Sequence, residues 1–117
     1  MREILDGINN LFEWAPTIYN DRHFDYAFIY DILQKKLELQ AKYIKDTGRH
    51  ERNMIDYQKM MTCVRLINKI QNEYYYDELY KSDIRSYEAI QKAIDKHNKS
   101  KRLLFKIMND RIEEWWD

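Results

Sequence analysis

No glycine or proline follows Gly48 in this chain, and only Gly7 and Pro16 precede it. Tight β-turns depend on residues that accept positive φ or preset a bend, and more than half of the sequence has neither. Long helices with few connections need none. The sequence therefore predicts an all-α protein in one domain, 1–117. Its architecture would be an antiparallel helical bundle of three long helices, with a short N-terminal helix in front.

Composition supports a packed interior. Apolar residues make up 44 % of the 117 and charged residues 34 %, enough for a core inside a heavily charged exterior and too apolar for disorder. The 20 basic and 20 acidic side chains cancel, so global charge gives no push toward a polyanion. Cys63 is the only cysteine, which excludes intrachain disulfides. Charges in Met1-Arg2-Glu3-Ile4-Leu5-Asp6 interrupt any signal-peptide core, and no segment has the apolar length of a membrane span. The expectation is a soluble cytoplasmic protein without membrane partners.

Apolar spacing places the elements. Ile4, Leu5, Ile8, Leu11 and Phe12 outline an amphipathic helix over 2–14, which Pro16 should end at Ala15, leaving 16–21 as a loop. Asn20 or Asp21 can cap a helix over 22–47, whose stripes are Phe28, Ile32, Leu39, Tyr43 and Ile29, Leu33, Leu37, Ile44. Gly48 supplies a left-handed stop. A second long helix over 51–80 turns Met60, Cys63, Ile67, Ile70 and Tyr74 to one side and pairs antiparallel with the first. The last third restarts near Ser82 or Asp83, with Ile84, Tyr87, Ile90, Ile94 and His97 on one face. Leu104, Ile107, Met108, Ile112 and Trp115 continue the spacing. The polar run Asp95–Lys101, with Ser100 as a fresh cap, leaves open one bent helix or two broken near 97–100.

Chemistry-bearing clusters are scarce. No Glu-x-x-His step suggests a di-iron bundle, and Asp21-x-His23-x-Asp25 diverges at helical spacing, so neither metal nor cofactor is expected. Cys63 sits among Met60, Val64 and Ile67, where a thiol packs as a small hydrophobe. No glycine-rich loop cradles phosphate. No catalytic residue emerges, and the chain reads as a non-enzyme.

Three features suggest binding. Ten tyrosines and three tryptophans exceed what a small core buries, so some should face a partner or ligand. Lys92, Lys96, Lys99, Lys101, Arg102 and Lys106 stand against one acid, Asp95, between residues 92 and 106. Tyr74-Tyr75-Tyr76 on a helix would fan out about 100° apart, so at most two can enter one core and one or more should reach solvent, a partner or a ligand. At the end of the chain, one of Trp115 and Trp116 should dock on the bundle. Candidate binding residues are Trp14, Tyr19, Arg22, Tyr26, Tyr75, Tyr76, Lys99, Arg102 and Trp116.

Taken together, Asn20-Asp21-Arg22-His23-Phe24-Asp25-Tyr26-Ala27-Phe28, then Lys36-Leu37-Glu38 with Tyr43 and Gly48, and the ending Leu103-Leu104-Phe105-Lys106 through Trp115-Trp116-Asp117 resemble small all-helical accessory proteins of tailed bacteriophages. The resemblance implies a phage protein made in the bacterial cytoplasm and transfers no catalytic residue. The functions to weigh are a counter-defence protein that sequesters a nucleotide signal or blocks a host protein, a nucleic-acid binder using 92–106, and a self-associating architectural helix bundle.

Overall fold

The computed structural model describes residues 2–22, 24–48, 53–72 and 86–115. These form α1 (Arg2–Asn20), α2 (Tyr26–Thr47), α3 (Asn53–Gln71) and α4 (Tyr87–Arg111), with a closing 3-10 turn at Ile112–Glu114 and no strand among the described residues. The all-α reading holds.

α2 and α3 run antiparallel. At one end the Lys45 ammonium lies 5.1 Å from the Tyr57 ring centroid. At the other, Gln71 Nε2 donates to the Ala27 carbonyl at 2.6 Å and to Asp31 Oδ1 at 2.8 Å. α4 runs parallel to α2, because Tyr30 meets Phe105 at 6.4 Å between ring centroids and Gln40 Nε2 donates to the Trp115 carbonyl at 2.8 Å. The three helices form an up-down-up bundle in which α4 starts several turns before the level of Tyr26.

The bundle closes over Leu37, Ala41 and Ile44 from α2, five residues of α3, Leu104 of α4 and Trp115. The α3 contribution is Met60, Cys63, Val64, Ile67 and Ile70, matching the face the sequence predicts up to Ile70; Tyr74 lies outside the described residues. Burying a side chain such as Ile67, which no solvent reaches, stabilises by about 1.5–3 kcal/mol. Trp115 docks on the bundle, as one of the terminal pair was expected to; Trp116 lies outside the described residues.

Several expectations need correction. α1 is not short: it passes through Pro16 to Asn20. A proline removes one N–H and crowds the carbonyl four residues back, yet the residues after it still donate to carbonyls of the turn before. Asn20 and Asp21 finish α1 instead of starting α2; the Asp21 N–H donates to the Ile18 carbonyl at 3.1 Å. The cap of α2 is Asp25, in extended conformation, accepting from the Ala27 N–H at 3.0 Å. Gly48 ends α2 as expected, at φ 55°, with its N–H on the Ile44 carbonyl.

The continuation of α3 past Gln71 and the restart at Ser82 or Asp83 lie outside the described residues. α4 is capped by Ser86 Oγ, which accepts from the Ala89 N–H at 3.2 Å, and it is unbroken across 97–100. Ser100 is buried in mid-helix and caps nothing. Lys, His and Asn disfavour a helix only mildly, and Gln91 bridges one turn to Asp95, so polarity alone does not break it.

Two apolar faces also differ from expectation. In α2, Ile29, Ile32 and Tyr43 face solvent, so the buried edge is narrower than the two stripes. In α4, Tyr87 and Ile90 are exposed while Ala93, Ser100 and Leu104 are buried. Small residues at that edge permit close helix approach, which a search for large apolar residues misses.

The molecule measures 61 × 36 × 21 Å with a radius of gyration of 17.4 Å. A compact domain of this length would have about 13 Å. α1 accounts for part of the excess: it rests on α2 and buries none of its residues.

Candidate functional site

The junction between α1 and α2 gathers the most exposed aromatic surface. Arg22 follows α1 by two residues; its Nε donates to the Tyr19 carbonyl at 3.1 Å and its guanidinium lies 4.3 Å from the Tyr19 ring centroid. This is a cation–π stack on an exposed ring. Phe24, between the helices, is fully exposed, and Tyr26 and Ile29 are each 70 % exposed. With Phe28 and Ile32 they line a groove of about 370 Å³, flanked by the carboxylates of Asp21 and Asp25. Asp25 is fixed there by its capping role.

An aromatic ladder leads from this groove to α4. Tyr26 meets Tyr30 edge-on at 6.4 Å, and Tyr30 in turn meets Phe105. Burial, helped by the neighbouring Tyr26, holds the Tyr30 phenol above its ordinary value of 10.0. Arg102 precedes Phe105 by one turn on the same side of α4. Lys99 and Arg102 are both exposed.

Of the predicted site residues, Tyr19 and Arg22 are in contact and Tyr26 borders the same junction. Trp14 is half-buried on α1. Lys99 and Arg102 belong to α4, and only the ladder links their region to Tyr26. Tyr75, Tyr76 and Trp116 lie outside the described residues. Sequence reasoning missed Phe24 and Ile29 as surface residues. Phe24 had a usable signal: it stands between helix-capping residues, one step before the cap of α2.

Basic residues of α4 align more than their spacing first suggests. Lys92, Lys96, Lys99, Arg102 and Lys106 recur at steps of three and four, so they form one stripe of about 21 Å, all exposed. Lys101 points elsewhere. Lys106 is paired with Asp110 at 3.2 Å, and hydrogen bonds from Asn109 and then Lys106 hold the Asp110 carboxyl below its usual range.

Other chemistry is weak here. The buried Cys63 thiol is pushed up to about 11 by desolvation, so it is a protonated packing group at neutral pH. Among the described residues no three His, Cys, Asp or Glu side chains are placed to share a metal ion; His23 and His50 lie outside them. A smaller cleft of about 230 Å³ between α2 and the chain end is lined by Leu33, Lys36, Leu37, Gln40, Met108, Ile112 and Trp115. No described helix is long and apolar enough to cross a membrane. Comparison of the chain with family models, curated proteins and solved structures finds no match.

Proposed function

We propose that this is a non-catalytic binding protein acting stoichiometrically, of the counter-defence kind a tailed phage makes in the bacterial cytoplasm, and that it blocks a host protein. The observation that carries this reading is the groove at the α1–α2 junction, with Phe24, Tyr26 and Ile29 displayed on its rim. Exposed aromatic anchors beside a groove are what protein interfaces use as hot spots. Between the two targets weighed from sequence, the groove favours a protein over a nucleotide signal. Asp21 and Asp25 flank it, and carboxylates repel phosphate while they attract a basic rim.

The test uses the full chain expressed in a defence-competent bacterium challenged with phage. Wild type should raise phage survival and co-purify with one host protein at equimolar ratio. Phe24→Ala with Tyr26→Ala should lose both effects and keep its circular dichroism. Release of a nucleotide on denaturation, with stabilisation by that nucleotide alone, would overturn the choice of target.

The aligned cations of α4 favour a second reading, a nucleic-acid backbone contact. It predicts binding to duplex or single-stranded DNA at low salt that falls steeply as salt rises. Reversing Lys96 and Lys99 to Glu should abolish that binding. No complex at low salt would end this reading.

A further inference from the structure

α1 is attached to its own bundle by the wrong side for a core helix. Its contacts with α2 are largely polar: Lys35 Nζ lies 2.6 Å from Glu13 Oε1, and Thr17 and Asn20, with Pro16, line a cleft opposite Asp31, Gln34 and Phe28. Counting 100° per residue from Ile8, the apolar residues Ile4, Leu5, Leu11, Phe12, Ile18 and Tyr19 all fall within about 80° of it. Every charged residue of α1 (Arg2, Glu3, Asp6 and Glu13) falls about 120° or more away, on the side turned to α2. The apolar stripe therefore faces outward, with Leu11 69 % and Phe12 75 % exposed.

We propose that α1 is a homodimerisation helix, its outward stripe packing antiparallel against the same stripe of a second copy. The pairing that overlaps residues 3–20, all but one residue of the helix, puts the two-fold axis between Leu11 and Phe12. Ile4 then lies level with Tyr19 of the other copy, Leu5 with Ile18, and Ile8 with the small Ala15, so a large side chain meets a gap. No like charges come level: Glu3 stands beside Asn20, Asp6 beside Thr17, Glu13 beside Asn10, and Arg2 beside Asp21.

Size fits the same occupant. Seven large side chains on each copy, 42 % to 75 % exposed, are available to be covered, which suits a specific interface, a class that begins at about 1,200 Å² in total. A lone soluble domain seldom leaves so large an apolar patch in water. A bilayer surface is a poorer match, since helices that lie on membranes carry Lys and Arg on their polar face and α1 has three acids and one arginine. The stripe includes none of the residues lining the Phe24 groove, although it shares Tyr19 with the α1–α2 junction.

Sedimentation velocity of the full chain at tens of micromolar should give a dimer. Leu11→Asp should weaken dimerisation by about a hundredfold or more, with circular dichroism unchanged because Leu11 packs in no core. Geometry is read separately with a short bismaleimide, to which buried Cys63 is inert. Phe12→Cys, next to the axis, should cross-link two copies. Ile4→Cys should not, because antiparallel pairing separates the two sites by about 22 Å. A monomer at every concentration, a Leu11→Asp dimer as tight as wild type, or efficient cross-linking of Ile4→Cys would overturn the proposal. Binding of the monomer to anionic vesicles through Leu11 would overturn it in favour of a membrane surface.

Discussion

α1 and α3 are each 19 residues long, yet α3 buries six side chains and α1 buries none. By sequence alone α1 is the more cleanly amphipathic of the two, with its apolar residues, Trp14 excepted, confined to one side. The difference shows that periodicity gives the existence of an apolar face and not its direction. α3 is enclosed because α2 and α4 approach it from two sides, and its stripe became the interior. Among the described residues α1 packs chiefly on α2, through an ion pair and a largely polar cleft, and its stripe points away. The same pattern thus makes a core in one place and a surface in another.

The strongest way to break this contrast is to place one charge on each stripe. Ile67→Asp should cost several kcal/mol and unfold the bundle, since Ile67 is fully buried and an aspartate there has no partner. Leu11→Asp, the matching change on α1, should leave the monomer's helical signal intact. Circular dichroism melts of the pair read the contrast directly; a native-like Ile67→Asp would mean that α3 is not the centre of the fold.

Gly48→Ala comes next. A Cβ there meets only Asn53 Nδ2, at an ordinary 3.5 Å, so space is not the obstacle. The φ of 55° is, and holding alanine in that conformation costs about 1–2 kcal/mol. Chemical denaturation should show a loss of that size, since the α2–α3 hairpin depends on the turn.

Gly7→Ala should act in the opposite sense and on α1 only. Nothing lies within 4 Å of the Cβ position, and an interior helical glycine is worse than alanine by about 0.5–1 kcal/mol. Hydrogen exchange should slow across residues 4–12 while protection at residues 60–70 stays the same.

The smallest effect is a pH dependence of α1's attachment. The hydrogen bond and charge of Lys35 hold the Glu13 carboxyl below its ordinary 4.5. A lowered carboxyl contributes in full above 4.5, and that contribution disappears as pH falls through the lowered value. The pair is exposed, so the effect is modest. Amide NMR shifts of Trp14 and Thr17 should move in that acid window while those of Ile67 hold still; uniform shifts across both regions would erase the distinction.

Much of the bundle was legible because its signals are local. Gly48 marked the turn, and the steps through Met60, Cys63, Ile67 and Ile70 marked the buried side of α3. Three features were not, each for a physical reason. Pro16 removes one hydrogen bond without preventing the next, so a single proline near a helix end does not fix the end. Asp25 outcompetes Asn20 and Asp21 as a cap because the latter are already used by α1, which spacing does not reveal. Ala93 and Ser100 are buried through smallness, and a search for large apolar residues passes over them. At the candidate site, Tyr19 and Arg22 were legible as neighbours one turn apart. Phe24 carried a positional signal between capping residues, but its exposure follows from where α1 stops and α2 starts, which spacing alone does not give.

The missing burial on α1 has a consequence for how such a sequence can change. Residues 2–20 supply no side chain to the interior, so drift along the stripe leaves folding untouched and alters only what the outer surface recognises. A lineage could retune its associations through this helix while the other three preserve the scaffold.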